Sequence, residues 1–516
     1  MLFNSPIFLF VFLPATVAAY IVVRQVAGPR AVLGLLLVAS IFFYAWWNPL
    51  YVPLLLGLAV FNFVVARGIT AYREAGRADR VSLLLTFGIV VDLMVLGYFK
   101  YSDFFIETAN TLFQNNFVLQ HILLPLGISF FMFQKIAYLV DASRGQVREH
   151  DLFEYCFFVM FFPQLLAGPI THHEVIFSQV RGPWAFAVKP SNFILGLTIF
   201  VVGLFKKVVL ADNFAPFAND MFAAAAAGAP LDFFAAWQGL IAFKFQLYFD
   251  FSGYSEMALG AARLFGIQLP LNFNSPYRAL NVTDYWRRWH MTLSRFLRDY
   301  LYIPLGGNRL GEQRRYLNLM LTMLLGGLWH GAGWNFFIWG GLHGLYLCAN
   351  HVWQAWRGTA ANSLVGKGYA KGLSTGFTTA LSWAITFLAV VIAWVFFRAR
   401  TAEGAWQMLG GLFGVAAGSS AYASPGILRL MDLPLLVGEQ QLLLIGGGAV
   451  ALALAVALGL PNVPQLFGYR EYRRAPEPAS LLRWRPNGAW ALLSALALVI
   501  SLFGMWQRLE FLYFQF

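Results

Sequence analysis

Long apolar runs, each about the length of one bilayer crossing, alternate along this chain with short polar or basic stretches. A helix needs about 20 mostly apolar residues to cross the hydrocarbon core. Runs near that length fall at residues 7–23, 31–47, 50–66, 82–99, 119–140, 152–168, 192–211, 232–250, 316–328, 334–353, 375–397, 440–459 and 487–506. Pro125, Pro163, Gly168, Gly203, Gly326 and Gly327 interrupt several of them. Some runs are therefore expected to be short, tilted or re-entrant, leaving about 11 full crossings. The pattern predicts an all-α, polytopic membrane protein. Polar punctuation separates the runs: a basic, cytoplasmic loop over 67–81, mixed segments over 354–374 and 461–486, and a Gly- and Ser-rich stretch over 400–437. The Ala-Gly tract Ala223–Ala229 reads as loop packing or a helix end. No fixed-period repeat is visible, which argues weakly against an inverted-repeat transporter.

Composition agrees with the pattern. Of 516 residues, 59% are hydrophobic and 12% charged, against about 25% charged in a soluble domain. The 51 Phe, 17 Trp and 21 Tyr suit membrane interfaces and the lining of tunnels. The net charge of +12 is expected from basic cytoplasmic loops. Nucleic acid is not an expected partner, because the basic residues lie between apolar runs. Cys156 and Cys348 are expected to be buried free thiols, and His172-His173 to lie in a loop with no metal pattern around it. Met1 to Pro6 holds no Lys or Arg, and the first basic residues are Arg24 and Arg30, after the apolar run. That order predicts an uncleaved first span with its N-terminus outside.

One stretch departs from the pattern. Residues 254–315 are polar, aromatic and Arg-rich, with Arg278, Arg287, Arg288, Arg295, Arg298, Arg309, Arg314 and Arg315 opposed by Glu256, Asp284, Asp299 and Glu312. Trp286, Trp289, Leu293, Phe296, Leu297 and Tyr300 recur at helical spacing and predict one amphipathic helix. It is either an anchor on anionic lipid or an Arg-lined cytoplasmic mouth for a phosphate-rich donor, such as a coenzyme A thioester or a carrier protein's phosphopantetheine. Arg287 and Arg288 are the residues expected to hold that donor's phosphates.

The chain has no P-loop and no Asp-x-Asp pair, which argues against direct ATP use and metal-dependent glycosyl transfer. Histidine remains. His330 sits in Gly326-Gly327-Leu328-Trp329-His330-Gly331-Ala332, inside an apolar region, and His290 in Trp286-Arg287-Arg288-Trp289-His290. An ionisable group at membrane depth is costly and marks a candidate site. Imidazole titrates near neutral pH, so it can take a proton from an attacking hydroxyl and return it to a leaving group, as acyl transfer from a thioester requires. His330 is the candidate base, with Trp329 as an indole wall; the competing reading is a structural histidine bonded to a carbonyl. His290 either orients substrate and tunes His330, or is an interfacial histidine. His343 either shares that chemistry or satisfies a helix contact. Asp250, Ser252 and Glu256, at the end of an apolar run, need a cationic partner such as Lys244 or Arg287.

At these residues the chain resembles the membrane-bound O-acyltransferases, of the bacterial alginate O-acetyltransferase type and close to the D-alanyl transferases of teichoic acid modification. The resemblance is carried in order by Phe43-Tyr44-Ala45-Trp46-Trp47, Gly97-Tyr98-Phe99-Lys100-Tyr101, Leu124–Phe130, Phe162-Pro163-Gln164, Ala167-Gly168-Pro169, Tyr248–Glu256, Trp286–Asp299, Leu305-Gly306-Gly307-Asn308-Arg309 and Gly326–Ala332. It covers about residues 40–345 of a single domain, and residues 400–516 match poorly. The resemblance implies a ring of helices around a funnel, with the essential histidine at His330 and a second at His290. The candidate donor contacts are Arg287, Arg288, Trp289, Trp329, Asp250, Ser252 and Asn308, and no metal is expected. The resemblance also implies cytoplasmic acetyl-CoA as donor substrate with no resident cofactor, and an inner-membrane location with the N-terminus periplasmic. The implied partners are a periplasmic Ser-His-Asp (SGNH-type) acetyltransferase, other export-complex proteins and membrane lipids. The expected activity is O-acetylation of an exported, alginate-like polysaccharide, with His330 acting as base or carrying the acyl group. D-alanyl transfer, peptidoglycan or protein acylation, and a polymer transporter with histidine proton relays are the alternatives.

Overall fold

The computed structural model describes residues 1–147, 151–182, 184–364, 375–415, 439–469, 482–505 and 512. Among them there is helix and loop but no β-strand. Five helices are long and apolar enough to cross a membrane: Phe8–Val26, Pro49–Glu74, Ala78–Phe113, Pro190–Ala226 and Gly376–Arg398. Pro29–Ala45, Gly447–Gly459 and Gly488–Gly504 are shorter apolar helices. This is a multi-pass, all-α membrane protein. The long helices Phe233–Leu264, Glu312–His330 and Trp334–Leu364 stand outside both sets. They carry the polar residues discussed below, which dilute their apolar runs.

Several expected boundaries move for identifiable reasons. The expected loop over 67–81 is mostly helix: Val52–Glu74 runs on to Glu74 and Ala78–Leu96 begins four residues later. The expected span over 119–140 is helical only from Ile128. Pro125 cannot donate, and Gly127, at φ +74°, ends the extended lead-in. The expected span over 152–168 breaks at Phe161, between Leu152–Met160 and the short helix Phe162–Leu165, where Pro163 starts the second helix. Of His172-His173, His172 lies in the loop as the N-cap and His173 opens the helix His173–Val180. His173 is buried there, with Nδ1 3.2 Å from Asp141 Oδ2. Cys156 is buried, whereas Cys348 is half-buried. Residues 365–374, 416–438 and 470–481, from the expected polar segments, lie outside the described residues.

The chain divides into two compact units. The first comprises Met1–Lys207, Ser252–Leu271 and Val463–Gln515. Its core is aromatic: Phe8, Phe12, Phe43 and Phe162 pack ring on ring at 5.3–6.2 Å, and Phe3 stacks on Tyr254 at 4.8 Å. Two helices of this unit touch backbone to backbone through paired glycines. A Cβ on Gly196 would lie 2.8 Å from Gly260 O, and one on Gly253 would lie 2.7 Å from Gly203 O. Small residues at such crossings let helices pack by close contact where lipid removes the usual hydrophobic drive. One buried polar pair joins two helices of this unit: Asn62 Nδ2 donates to Asp92 Oδ1 at 2.8 Å.

The second unit comprises Val208–Phe251 and Asn272–Asn462. It contains both histidines of interest and is described next. For the first unit, Gly203→Val should force the glycine crossing apart at about 1–3 kcal/mol. The checking measurement is the temperature at which the detergent-solubilised protein loses its monodisperse elution peak, which should fall; Gly97→Val, where a Cβ meets nothing within 4 Å, should leave it nearly unchanged.

Candidate active site

Glycine spacing determines where His330 sits. The helix Glu312–His330 ends at His330, and a short Gly-rich turn leads into Trp334–Leu364. The two helices cross at Gly327 and Gly340. A Cβ at Gly327 would collide with the Phe336 carbonyl oxygen, and one at Gly340 with the Met323 carbonyl oxygen. Only glycine allows this approach, which places His330, three residues beyond Gly327, against Trp339, the residue before Gly340. The His330 ring meets Trp339 edge-on, with centroids 5.1 Å apart, and lies 4.9 Å from Trp329 and 5.4 Å from Phe397. His330 is buried, at 5% exposure.

His290 reaches the same place by a break in the chain. The structure has two short helices, Val282–Arg288 and Met291–Leu297, instead of the single amphipathic helix expected over this segment. His290 between them is left-handed, at φ +42°, a costly conformation for a residue with a Cβ. The extended segment around Asn272–Asn274 holds it there. Asn274 N donates to Arg288 O and Met291 N to Asn272 O, each at 2.9 Å, and Thr292 Oγ1 donates to Asn272 Oδ1 at 2.6 Å. Periodicity could not show this, because both fragments keep helical spacing. His290 is fully buried, with its ring 4.8 Å from Phe251 and 6.3 Å from His330. It lies outside the membrane-crossing helices. Burial pushes its imidazole down to about 3, so it is neutral at physiological pH, the form that accepts protons.

The other candidates divide. Trp329 is buried and meets both His290 and His330, whereas Trp289 is buried against Tyr285 and Trp394. His343 is buried and accepts a hydrogen bond at Nδ1 from Trp286 Nε1 at 3.3 Å, the helix-contact role; its ring also lies 4.8 Å from Trp339. Arg287 is exposed. Arg288 is half-buried and occupied: its guanidinium pairs with Asp284 at 2.9 Å and donates to Asn274 O at 3.3 Å. Asn308 is exposed, on a loop whose Gly307 carbonyl accepts from Asn318 Nδ2 at 3.0 Å. Asp250 and Ser252 are both buried, but two positions apart on one helix they face different sides. The partners expected for this acidic stretch are not the ones found: Glu256 pairs with Lys206, and Lys244 is held by aromatic rings. Trp339, Trp394 and Phe397 complete the wall. The sequence analysis missed them because an aromatic residue in an apolar run is indistinguishable from ordinary packing. Among the described residues, no three His, Cys, Asp or Glu side chains are grouped to hold a metal ion.

Two buried imidazoles, His290 and His330, thus lie against indole rings inside a multi-pass helical protein. The chain belongs to the membrane-bound O-acyltransferase family, whose profile matches residues 79–394. It is an O-acyltransferase, which sets aside the transporter alternative. The chain is 43% identical over 450 residues to the peptidoglycan O-acetyltransferase of Helicobacter pylori, covering 82% of each protein. It is 42% identical over 418 residues to the probable alginate O-acetylase AlgI of Pseudomonas aeruginosa, covering 80% of this chain and 75% of that one. To the teichoic acid D-alanyltransferase of Streptococcus thermophilus it is 28% identical over 291 residues, covering 54% and 69%.

Gly340→Ala should separate the two crossing helices and move His330 away from Trp339. Acyl-transfer activity of the purified protein should then fall by about 10- to 100-fold while membrane insertion persists. Gly376→Ala, where a Cβ meets nothing within 4 Å, should retain activity.

Proposed function

We propose that this protein takes acetyl from cytoplasmic acetyl-CoA and passes it across the inner membrane for O-acetylation of an exported polysaccharide, with a periplasmic SGNH-type acetyltransferase as the finishing partner. The observation that carries this reading is the buried His290–His330 pair, with centroids 6.3 Å apart, in a chain of this family. His330 acts as the general base. Its imidazole takes the hydroxyl proton as the oxygen attacks the thioester carbonyl; the C–O bond forms, the C–S bond breaks, and the proton passes to the departing thiolate. His290 is neutral and fixed by its backbone, so it orients the reacting groups. The N-terminus lies on the periplasmic side in this reading. Relatives named for peptidoglycan and for alginate match almost equally, at 43% and 42%, so similarity supports a carbohydrate polymer without choosing between them. The D-alanyl alternative has the weaker support of 28% identity over about half of the chain.

The test is purified protein with radiolabelled acetyl-CoA and an acceptor polysaccharide fragment. His330→Ala should lower turnover by about 10²–10⁴-fold. Turnover that survives this substitution, or labelled product from a D-alanyl carrier protein alone, would overturn the reading.

The arginines give a second expectation. Because the Arg288 guanidinium is already held by Asp284 and the Asn274 carbonyl, the exposed Arg287 is the one available to donor phosphates. Arg287→Gln should raise the KM for acetyl-CoA about three- to tenfold, a phosphate contact of ordinary strength, with kcat little changed. Arg288→Gln should instead loosen the 272–291 region and lower kcat. Equal effects on KM from both substitutions would remove this distinction.

A further inference from the structure

Lys244 lies on the helix Phe233–Leu264, and its side chain is wholly excluded from solvent. A lysine in such a place ordinarily pairs with a carboxylate. Among the described residues, none lies within ion-pair distance of it. Aromatic rings surround the ammonium instead. Nζ lies 4.2 Å from the ring centroid of Trp394, 4.5 Å from Trp289, 5.2 Å from Tyr285 and 5.3 Å from Tyr277. It donates to the Tyr285 hydroxyl at 2.9 Å, and the Tyr277 hydroxyl donates to the Lys244 carbonyl at 3.1 Å.

These rings lead to both histidines. Trp289 immediately precedes His290 in the chain, at the left-handed break. Trp394 packs on Trp339 at 5.2 Å, and Trp339 meets His330 at 5.1 Å and His343 at 4.8 Å. Tyr285 stacks on Trp289 at 5.8 Å and 13°. A cation is attracted to the negative face of an aromatic ring. One ammonium therefore selects the orientation of several rings at once, which an apolar side chain of the same length cannot do.

We propose that Lys244 is a positioning residue for acyl transfer, its ammonium anchoring from behind the aromatic walls that set the places of His290 and His330. The cage encloses the ammonium, so it acts through the walls and does not itself meet the donor. This inference rests on the reading of His330 as the acyl-transfer base.

The experiment uses the full-length protein in lipid nanodiscs, with Lys244→Met and Lys244→Arg measured by labelled acetyl-CoA turnover and by near-ultraviolet circular dichroism of the tryptophans. Lys244→Met keeps length and volume but removes the charge. It should insert and elute normally, keep the KM for acetyl-CoA, lower kcat by about tenfold and weaken the tryptophan signal. Lys244→Arg, which keeps a cation able to lie against the rings, should recover kcat to within about threefold of the parent. A Lys244→Met protein with the parent kcat and tryptophan signal overturns the proposal, and so does an arginine variant no better than the methionine one. If the methionine variant does not fold, Tyr285→Phe decides: it removes only the hydroxyl that accepts from Nζ, and a lowered kcat at unchanged KM supports the anchor while an unchanged kcat overturns it. If the parent protein itself does not turn over acetyl-CoA, the proposed function fails, and the tryptophan signal alone judges the anchor: a change in Lys244→Met supports it and no change overturns it.

Discussion

Taking an imidazole or an ammonium out of water costs several kcal/mol unless another group replaces the lost solvation. In the second unit aromatic rings supply that replacement. His330 is bounded by Trp329, Trp339 and Phe397, His290 by Phe251 and Trp329, and Lys244 by four rings. An aromatic wall differs in consequence from a carboxylate partner. A carboxylate beside an imidazole would favour its charged form, whereas burial favours the neutral one. At His290, the packing that excludes water keeps the imidazole neutral.

A second constraint is closeness. Side chains can enclose a histidine only if the helices carrying them approach to backbone contact. Gly327 and Gly340 permit that approach between Glu312–His330 and Trp334–Leu364. The same device appears in the first unit, where Gly196, Gly203, Gly253 and Gly260 let two helices touch. In the second unit the crossing serves the chemistry directly, because His330 and Trp339 each lie within one turn of it. The left-handed His290 is the complementary solution: strain at one residue, held by hydrogen bonds from Asn272 and Asn274, turns a side chain inward that a continuous helix would direct elsewhere.

The acyltransferase activity follows from the family and is compatible with these two devices. A thioester is already activated, so the protein must chiefly provide a base, orientation and a dry surrounding. In the proposed reading, the exposed Arg287 and the enclosed histidines divide that work between the solvent-facing edge and the buried interior of the second unit.

The sequence by itself determined the broad result. The apolar runs required a multi-pass helical protein, because a backbone in lipid must satisfy its own hydrogen bonds. An isolated His330 in an apolar run, together with the Gly-Gly before it, marked the site, because polar groups in such places are costly and so are informative. Tertiary structure decided the rest. It broke the expected amphipathic helix at His290, brought His290 to 6.3 Å from His330 across 40 positions of chain, gave Glu256 to Lys206 and left Lys244 to the rings. None of this is periodic, and each depends on contacts between segments far apart in sequence. Trp339, Trp394 and Phe397 read as ordinary apolar residues along the chain and become a wall only when their helices pack, because an aromatic ring's electrostatic role depends on which face it turns and toward what.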